Sequence, residues 1–269
     1  ILAVLYHHIY GEFTGPGFMS FDFCGIVIMP MSYLANGWLG VNLFFILSGF
    51  VLSYPYFLKK RDFTSSKSIK LFYAHRALRL LPLYYFSVVF SIVFVVNPVS
   101  FDSFLKEALW LLTITYNFSS EMWFPRYNWV LWSLGVEVWF SIVFPFLILG
   151  IKKYSAYKML YIILFLSLAT RVVGNNEIFN IGMLALNPLK DSLLGRLDEF
   201  YWGVFVCYLY VNNYKLASRS IPIFLGGMSV LLISIACILW DYVNLGLISL
   251  VIIPFINNLI FLMGIGENA

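Results

Sequence analysis

The sequence predicts an all-α protein that crosses a membrane several times, and composition and the length of the apolar runs lead to this prediction. The chain has 269 residues, of which 61% are hydrophobic and only 11% are charged, with a mean hydropathy of +0.87. A soluble domain carries about 25% charged residues, so this chain has too few charges to cover a water-exposed surface. Lipid admits only helices and closed barrels, and the long continuous apolar runs lack the alternation of barrel strands.

Seven apolar runs approach the length of roughly 20 residues that a membrane span requires. They lie at about 37–58, 72–96, 129–151, 157–174, 196–212, 220–240 and 243–263. A shorter run at 1–10 reads as the end of a truncated first helix, which brings the prediction to about eight spans of a transmembrane helical bundle. Segment 104–118 is apolar but short and carries Lys106 and Glu107, so we expect a re-entrant or interfacial helix there.

No linker, internal repeat or low-complexity stretch divides the chain, so residues 1–269 are predicted to form a single membrane domain. Both ends look cut, because the chain begins inside one apolar run and ends directly after another. We therefore expect a fragment that lacks the start of the first helix and the C-terminal end of the domain. The three cysteines are scattered and show neither a disulfide pattern nor metal-ligand spacing, so no metal is expected.

Basic residues are concentrated on one side of the predicted membrane. Of the 17 Lys and Arg residues, twelve fall in or beside the loops near 59–72, 152–158 and 213–219. These loops alternate with the predicted spans so that they share one side, which the positive-inside rule makes cytoplasmic. The net charge of +4 therefore reflects topology, and it predicts membrane lipid and no nucleic acid as a partner.

Glu137 lies within an apolar run, where a charged side chain is costly and indicates function by default. Ser133 and Ser141 stand four residues before and after it, so the three side chains share one helix face. This face predicts a polar stripe that points into a bundle or cavity. Glu137 is then either a catalytic or substrate-orienting carboxylate or a buried carboxylate paired for packing.

His7 and His8 close the truncated first helix near the predicted outer surface. Successive helical residues point about 100° apart, so at most one of the two faces the interior. A neutral imidazole at this place is a candidate general base. The alternative is an interfacial histidine pair with both rings at headgroup level.

Arg76 and Arg79 are three residues apart and share one face at the predicted cytoplasmic end of a span. Two guanidinium groups on one face suit a phosphate or pyrophosphate, which each can bind through two parallel hydrogen bonds. The alternative is a pair that fixes the topology and extends toward anionic lipid headgroups.

Two further groups of polar residues accompany the apolar runs. Asn42 is expected to bond to a neighbouring helix, whereas Ser48 suits close helix packing or a supporting hydrogen bond. Arg196 and Glu199 are three residues apart and can pair with each other. This pair is either an interfacial ion pair or a group that faces the substrate.

Five short blocks follow one another along residues 1–205. They are Leu2 to His7, Gly40 to Phe50, His75 to Pro82, Trp132 to Pro145 and Arg196 to Gly203. In this order and spacing they resemble blocks of acyltransferase family 3, a family of integral membrane proteins. The matching features are a first helix that closes on a histidine, a block ending in Ser-Gly-Phe, an Arg-x-x-Arg pair before proline, and a Trp-Ser-Leu block with its glutamate.

The resemblance implies transfer of an acyl group, usually acetyl, from cytoplasmic acyl-CoA to a hydroxyl of a sugar or cell-surface glycan, such as a polysaccharide or a lipid-linked sugar. It implies that His7 is catalytic, with His8 as the alternative. It further implies that Glu137 belongs to the catalytic machinery and that Arg76 and Arg79 hold the CoA donor. Acetyl-CoA is thus the expected donor, and a bacterial cytoplasmic (inner) membrane is the expected location.

The chain also departs from the pattern of that family. Asn42 stands where the family has Asp, His75 replaces the first Arg of its block, and Ser141 replaces a Tyr. The change at Asn42 removes a charge, which leaves a hydrogen-bonding role there.

These observations together predict a membrane O-acyltransferase. We expect the substrate to be bound or supported by Asn42, Ser48, Ser133, Arg196, Glu199 and His8. The alternative from a different class is a secondary transporter of a small anionic metabolite, since proton-coupled carriers also use intramembrane Glu, His and Arg. Such a carrier would move its substrate without CoA. A non-catalytic membrane scaffold is a third possibility, which would function normally without Glu137 and His7.

Overall fold

Most of the central part of the chain is described by a computed structural model. It covers residues 21–23, 26–28, 39–94, 101–119, 123, 125, 128, 130–174 and 188–212. The described elements are, in chain order, β1 Phe21–Phe23, β2 Ile26–Ile28, α1 Leu39–Phe57, α2 Ser66–Phe94, α3 Phe101–Thr113, a 3-10 turn Tyr116–Phe118, α4 Leu131–Tyr154, α5 Ala156–Gly174 and α6 Leu193–Val211.

Four of these helices, α1, α2, α4 and α5, are long and apolar enough to cross a membrane. They correspond to the spans predicted at 37–58, 72–96, 129–151 and 157–174, which confirms a polytopic helical bundle. The α6 helix matches the run at 196–212 in length, but three charged residues fall in its first two turns. The predicted spans at 1–10, 220–240 and 243–263 lie outside the described residues, so the count of eight stays a prediction.

The structure differs from an all-α chain by one short hairpin. Its strands β1 and β2 are antiparallel, and Phe21 pairs with Ile28 while Phe23 pairs with Ile26. Aromatic and β-branched residues in both segments favour such strands. The prediction missed it because each strand has only three residues.

The predicted short helix in segment 104–118 is present as α3, which has 13 residues and is followed by the 3-10 turn. The turn is held to the start of α4, because the Tyr116 hydroxyl donates to the Leu131 carbonyl at 2.7 Å. The Asn117 amide donates to the Trp132 carbonyl at 3.2 Å. The short helix is therefore connected to the helix that carries Glu137.

The helices α1 and α6 approach each other closely, and glycine explains the approach. A Cβ added at Gly49 would lie 1.9 Å from the Phe200 carbonyl oxygen, and one added at Gly203 would lie 1.9 Å from the Ile46 carbonyl oxygen. The two backbones thus touch at two reciprocal points. Small residues at such points let membrane helices pack closely, and this contact fixes α6 beside the polar residues of α1.

Stacked aromatic rings fill the centre between α1, α4 and α6. Phe200 stacks on Phe45 at 4.4 Å between ring centroids and on Phe140 at 3.8 Å. All three rings are fully buried. This aromatic core lies between α4, which carries Glu137, and the charged first turns of α6.

Candidate active site

Glu137 is buried and joins three helices through one carboxylate oxygen. Its Oε1 accepts hydrogen bonds from Arg76 Nη2 of α2 at 2.8 Å and from the Ser48 hydroxyl of α1 at 3.1 Å. The residue is 2% exposed. The prediction that this intramembrane carboxylate faces the bundle interior is therefore confirmed, and three sequence-distant residues meet at it.

Arg76 is held in place by α4 at two points. In addition to the ion pair, its Nε donates to the Ser141 hydroxyl at 3.0 Å, and that hydroxyl donates to the Glu137 carbonyl at 2.8 Å. The helical spacing of Glu137 and Ser141 by four residues aligns both acceptors with one guanidinium group. A planar fork of donors thus fixes the carboxylate orientation.

The second oxygen of this carboxylate, Oε2, is buried and has no hydrogen-bond partner within the described part of the chain. An acceptor without a partner in an apolar interior is unfavourable and calls for an explanation. In this carboxylate Oε1 is held by Arg76 and Ser48, whereas Oε2 can still accept a hydrogen bond. Such an atom can receive a hydrogen bond from a substrate hydroxyl or from an imidazole N–H.

Other predicted site residues differ in how they relate to Glu137. Arg79 is exposed and does not share the burial of Arg76. Ser133 is half-buried, and its hydroxyl donates to the Val130 carbonyl of the same helix at 3.2 Å. The histidines His7 and His8 lie outside the described residues, so their proposed relation to Glu137 stays a prediction.

A second buried polar group surrounds Arg196 near the start of α6. Its Nη1 donates to Glu199 Oε1 at 2.6 Å, which confirms the predicted pairing of these two residues, and lies 3.4 Å from Asn42 Oδ1 of α1. Its Nε donates to Asp191 at 2.9 Å, and its Nη2 donates to the same oxygen. The predicted contact of Asn42 with a neighbouring helix is thus present.

Arg171 of α5 extends this group. Its Nη2 donates to Asp198 at 2.5 Å and lies 3.7 Å from Glu199. Sequence reasoning did not assign a role to Arg171 or Asp191. The available signal was that the apolar run at 157–174 holds two charges, Lys158 at its start and Arg171 far from that start. A charge within a span is costly, which marks Arg171 as a candidate interior residue.

Lys190 adds a further cation in the turn before α6. Burial lowers the pKa of this lysine, and the neighbouring Asp191 opposes that change, whereas Arg196 and Arg171 add to it. The group around Arg196 is thus a compact set of opposite charges removed from water. Such a set requires nearly complete pairing to be stable.

The fold and the site define a polytopic membrane protein whose interior holds a carboxylate fixed by arginine and serine from two other helices. A family model described as "Acyltransferase domain" matches residues 1–266. The chain therefore belongs to acyltransferase family 3, and the resemblance read from the five sequence blocks is confirmed. The description of the family, an acyltransferase domain, agrees with the predicted class of reaction.

The chain is also similar to individual proteins of this kind. It is 30% identical over 205 residues to ORF330 of Acidianus two-tailed virus, named provisionally as an acetyltransferase, which covers 74% of this chain and 56% of that protein. It is 25% identical over 240 residues to the O-acetyltransferase OatA of Staphylococcus aureus, which covers 80% of this chain and 39% of that protein. The chain thus spans about half the length of these relatives or less. No solved structure matches the chain.

Proposed function

We propose that this protein transfers an acyl group, most simply acetyl, from acyl-CoA on the cytoplasmic side to a hydroxyl of a sugar or glycan. The observation that carries the proposal is the buried Glu137 with one oxygen fixed by Arg76 and Ser48 and the other oxygen free. Family membership and the similarity to an O-acetyltransferase support the reaction class.

In the proposed reaction the acceptor hydroxyl oxygen attacks the carbonyl carbon of the thioester. A C–O bond forms, the C–S bond breaks, and CoA leaves as a thiol once its sulfur takes up a proton. His7 removes the proton from the hydroxyl, with His8 as the alternative, and general-base help of this kind is typically worth about 10²–10⁴-fold in rate. Glu137 Oε2 orients the imidazole or the hydroxyl through its free acceptor position.

Arg76 has a positioning role in this proposal. Its side chain is 8% exposed, and its guanidinium group donates hydrogen bonds to Glu137 and Ser141. An arginine so placed keeps the carboxylate oriented. The predicted contact of Arg76 and Arg79 with the CoA donor remains a proposal, and the exposed Arg79 is the more accessible of the two.

The polar group around Arg196 is proposed to support the acceptor side. Asn42 Nδ2 and Glu199 Oε2 are both buried without a hydrogen-bond partner in the described residues. One is a donor and the other an acceptor, and each belongs to a side chain that contacts Arg196. A hydroxyl group can both accept and donate, so these atoms suit an ordered water or the hydroxyl of an acceptor.

A thiol-release assay tests the proposed function. Full-length protein in liposomes receives acetyl-CoA and a panel of glycan acceptors, and free CoA is followed over time. We expect acceptor-stimulated release that is lost in His7→Ala and in Glu137→Gln. Absence of release with every acceptor, from protein that binds no CoA, would overturn the donor assignment and favour a transporter.

A further inference from the structure

An open groove with a volume of about 390 Å³ lies where α1 ends and α2 begins. Its lining combines exposed basic side chains and an imidazole with two buried rings: Lys59, Lys60, Arg61, His75, Tyr56 and Phe72. The groove belongs to the loop near 59–72, which the charge distribution predicts to be cytoplasmic. It is separate from the residues that contact Glu137.

The groove has an excess of positive charge. Within the part of the chain that the structure describes, Lys59, Lys60 and Arg61 make no ion pair. The single carboxylate of the lining, Asp62, accepts a hydrogen bond from the Thr64 hydroxyl at 2.8 Å. With three cations and one carboxylate in its lining, the groove favours an anionic ligand with more than one negative charge.

The backbone of the loop holds these side chains at the groove. The amides of Lys60 and Arg61 both donate to the Pro55 carbonyl, at 2.9 and 3.1 Å. Lys59 has a φ of 56°, a left-handed conformation that glycine or asparagine normally supplies at the end of a helix. A lysine held in this strained conformation is a feature that function explains better than local stability.

The start of α2 adds a further favourable element. The helix begins at Ser66, and the Ser65 hydroxyl accepts from the Ser68 amide at 3.2 Å, which caps this end. Ser68 lines the groove, so the positive end of the α2 dipole lies beside the three cations. A helix N-terminus next to basic side chains is a favourable environment for phosphate.

The groove is one helical turn from the candidate active site. Phe72 lines it, and Arg76, which binds Glu137, stands four residues further along α2 on the same face. Four residues correspond to a rise of about 6 Å. A ligand with phosphates in the groove and a long flexible arm would therefore direct that arm along α2 toward Glu137.

We propose that this groove binds the phosphate groups at the nucleotide end of the acyl donor. The proposal rests on the proposed function, because it takes a CoA-type thioester as the donor. Arginine and lysine supply bidentate and point-charge contacts to phosphate. Arg76 is engaged by Glu137, so the groove provides free cations for the phosphates while Arg76 stays with the carboxylate.

The test compares two triple variants of the full-length protein with equal loss of charge. Lys59→Gln, Lys60→Gln and Arg61→Gln remove the cations of the groove. Lys152→Gln, Lys153→Gln and Lys158→Gln remove three cations from the α4–α5 junction, outside the groove and on the same predicted side of the membrane. Binding of CoA and of pantetheine, which lacks the nucleotide and its phosphates, is measured in nanodiscs of phosphatidylcholine.

We expect the groove variant to weaken CoA binding roughly tenfold or more and the α4–α5 variant to leave it within about twofold, because each lost charged contact is worth a large part of a tenfold change. Pantetheine binding should be the same in all three proteins. In the transfer assay the KM for acetyl-CoA should rise in the groove variant while kcat at saturating donor is retained. Equal CoA binding in the two variants would overturn the proposal.

The same measurements separate this proposal from the proposed function. If the wild-type protein binds CoA but transfers no acyl group, and the groove variant loses CoA binding, the groove proposal is supported and the proposed function is rejected. Normal transfer with an unchanged KM in the groove variant would support the function and reject the groove.

An anionic lipid headgroup carries the same phosphate chemistry, so a lipid arm is included. CoA binding is repeated in nanodiscs that contain phosphatidylglycerol. If phosphatidylglycerol binding depends on Lys59, Lys60 and Arg61 while CoA binding does not, the groove is a lipid site and the donor proposal is wrong.

Because all three substituted residues are exposed, thermal unfolding of the groove variant should be unchanged. The single variant Lys59→Gly, which suits the left-handed backbone, provides a second test and should weaken CoA binding in the same direction.

Discussion

Arg76 and Glu137 are 61 residues apart in the sequence and form an ion pair of 2.8 Å in which their side chains are only 8% and 3% exposed. Neither charge has water to stabilise it if the other is removed. A buried pair of this kind contributes little net stability compared with a well-packed apolar pair, yet breaking it is strongly unfavourable. Its presence at the junction of α1, α2 and α4 therefore points to a role in function.

Replacement of Arg76 by methionine should destabilise the protein by about 3–5 kcal/mol, because it leaves an uncompensated carboxylate in the bundle. The double variant Arg76→Met with Glu137→Leu should recover most of that stability, since neither charge remains. Thermal unfolding in detergent measures both effects. Acyl transfer should be lost in the single and the double variant alike. A double variant as unstable as the single one would contradict this interpretation of the pair.

Ser48 tests the orientation of the carboxylate with little effect on folding. Its hydroxyl donates to Glu137 Oε1 at 3.1 Å. Interhelical hydrogen bonds in membranes average only about 0.6 kcal/mol, so Ser48→Ala should change the melting temperature little. Transfer activity should fall roughly tenfold, equivalent to about 1.4 kcal/mol in the barrier, because the carboxylate loses one of its two fixed contacts.

Ser133→Ala is the matched control for this change. The Ser133 hydroxyl donates to the Val130 carbonyl at the start of its own helix. Its removal breaks no contact between helices, so activity should stay within about twofold of the wild type. Equal loss of activity in Ser48→Ala and Ser133→Ala would show that the contact of Ser48 with Glu137 has no part in the reaction.

Arg196 should not be replaceable by lysine. Its guanidinium bonds to Asp191 and Glu199 in different directions at the same time, and a single ammonium group cannot reproduce this fork. We expect Arg196→Lys to destabilise the protein by about 1–3 kcal/mol, and Arg196→Gln by about 3–5 kcal/mol, because the carboxylates lose their partner. Thermal unfolding is the measurement.

The exposed Arg79 gives the control for the same substitution. Arg79→Lys should change stability by no more than about 0.5 kcal/mol, as is usual for a surface position. If Arg196→Lys proved as mild as Arg79→Lys, the fork of bonds to Asp191 and Glu199 would not be what holds this end of α6.

Local sequence was sufficient to predict most helices, because apolar runs and their ends are local features. The run predicted at 157–174 is the helix Ala156–Gly174, and the run at 37–58 is Leu39–Phe57. The helix predicted from residue 72 begins at Ser66, since its first turn is polar and hydropathy does not detect it. The Ser65 cap was the signal that marks this earlier start.

The site was predictable only where it follows one helix. The pairing of Arg196 with Glu199 follows from a spacing of three residues, and the shared face of Glu137 and Ser141 follows from a spacing of four. The ion pair of Arg76 with Glu137 depends on how α2 is rotated against α4, which no local pattern encodes. For the same reason, Arg76 and Arg79 share a sequence motif but differ in burial.

The reciprocal contact of α1 and α6 provides the last prediction. Gly203→Ala should separate these helices, because the new Cβ would lie 1.9 Å from the Ile46 carbonyl oxygen and 2.7 Å from the Phe50 nitrogen, both of which are backbone atoms that cannot rotate away. The variant should lower thermal stability by about 1–3 kcal/mol, as overpacking does. It should also lower activity, because α6 positions Arg196 against Asn42.

Gly150→Ala separates the steric effect from the general effect of alanine in a helix. A Cβ at Gly150 would meet only the end of the Met159 side chain, with its methyl carbon at 2.9 Å, and that flexible side chain can move. Alanine is favoured over glycine inside a helix by up to about 1 kcal/mol. We therefore expect Gly150→Ala to be neutral or stabilising and Gly203→Ala to be destabilising. Equal changes in the two melting temperatures would mean that the backbones of α1 and α6 are not in contact at Gly203.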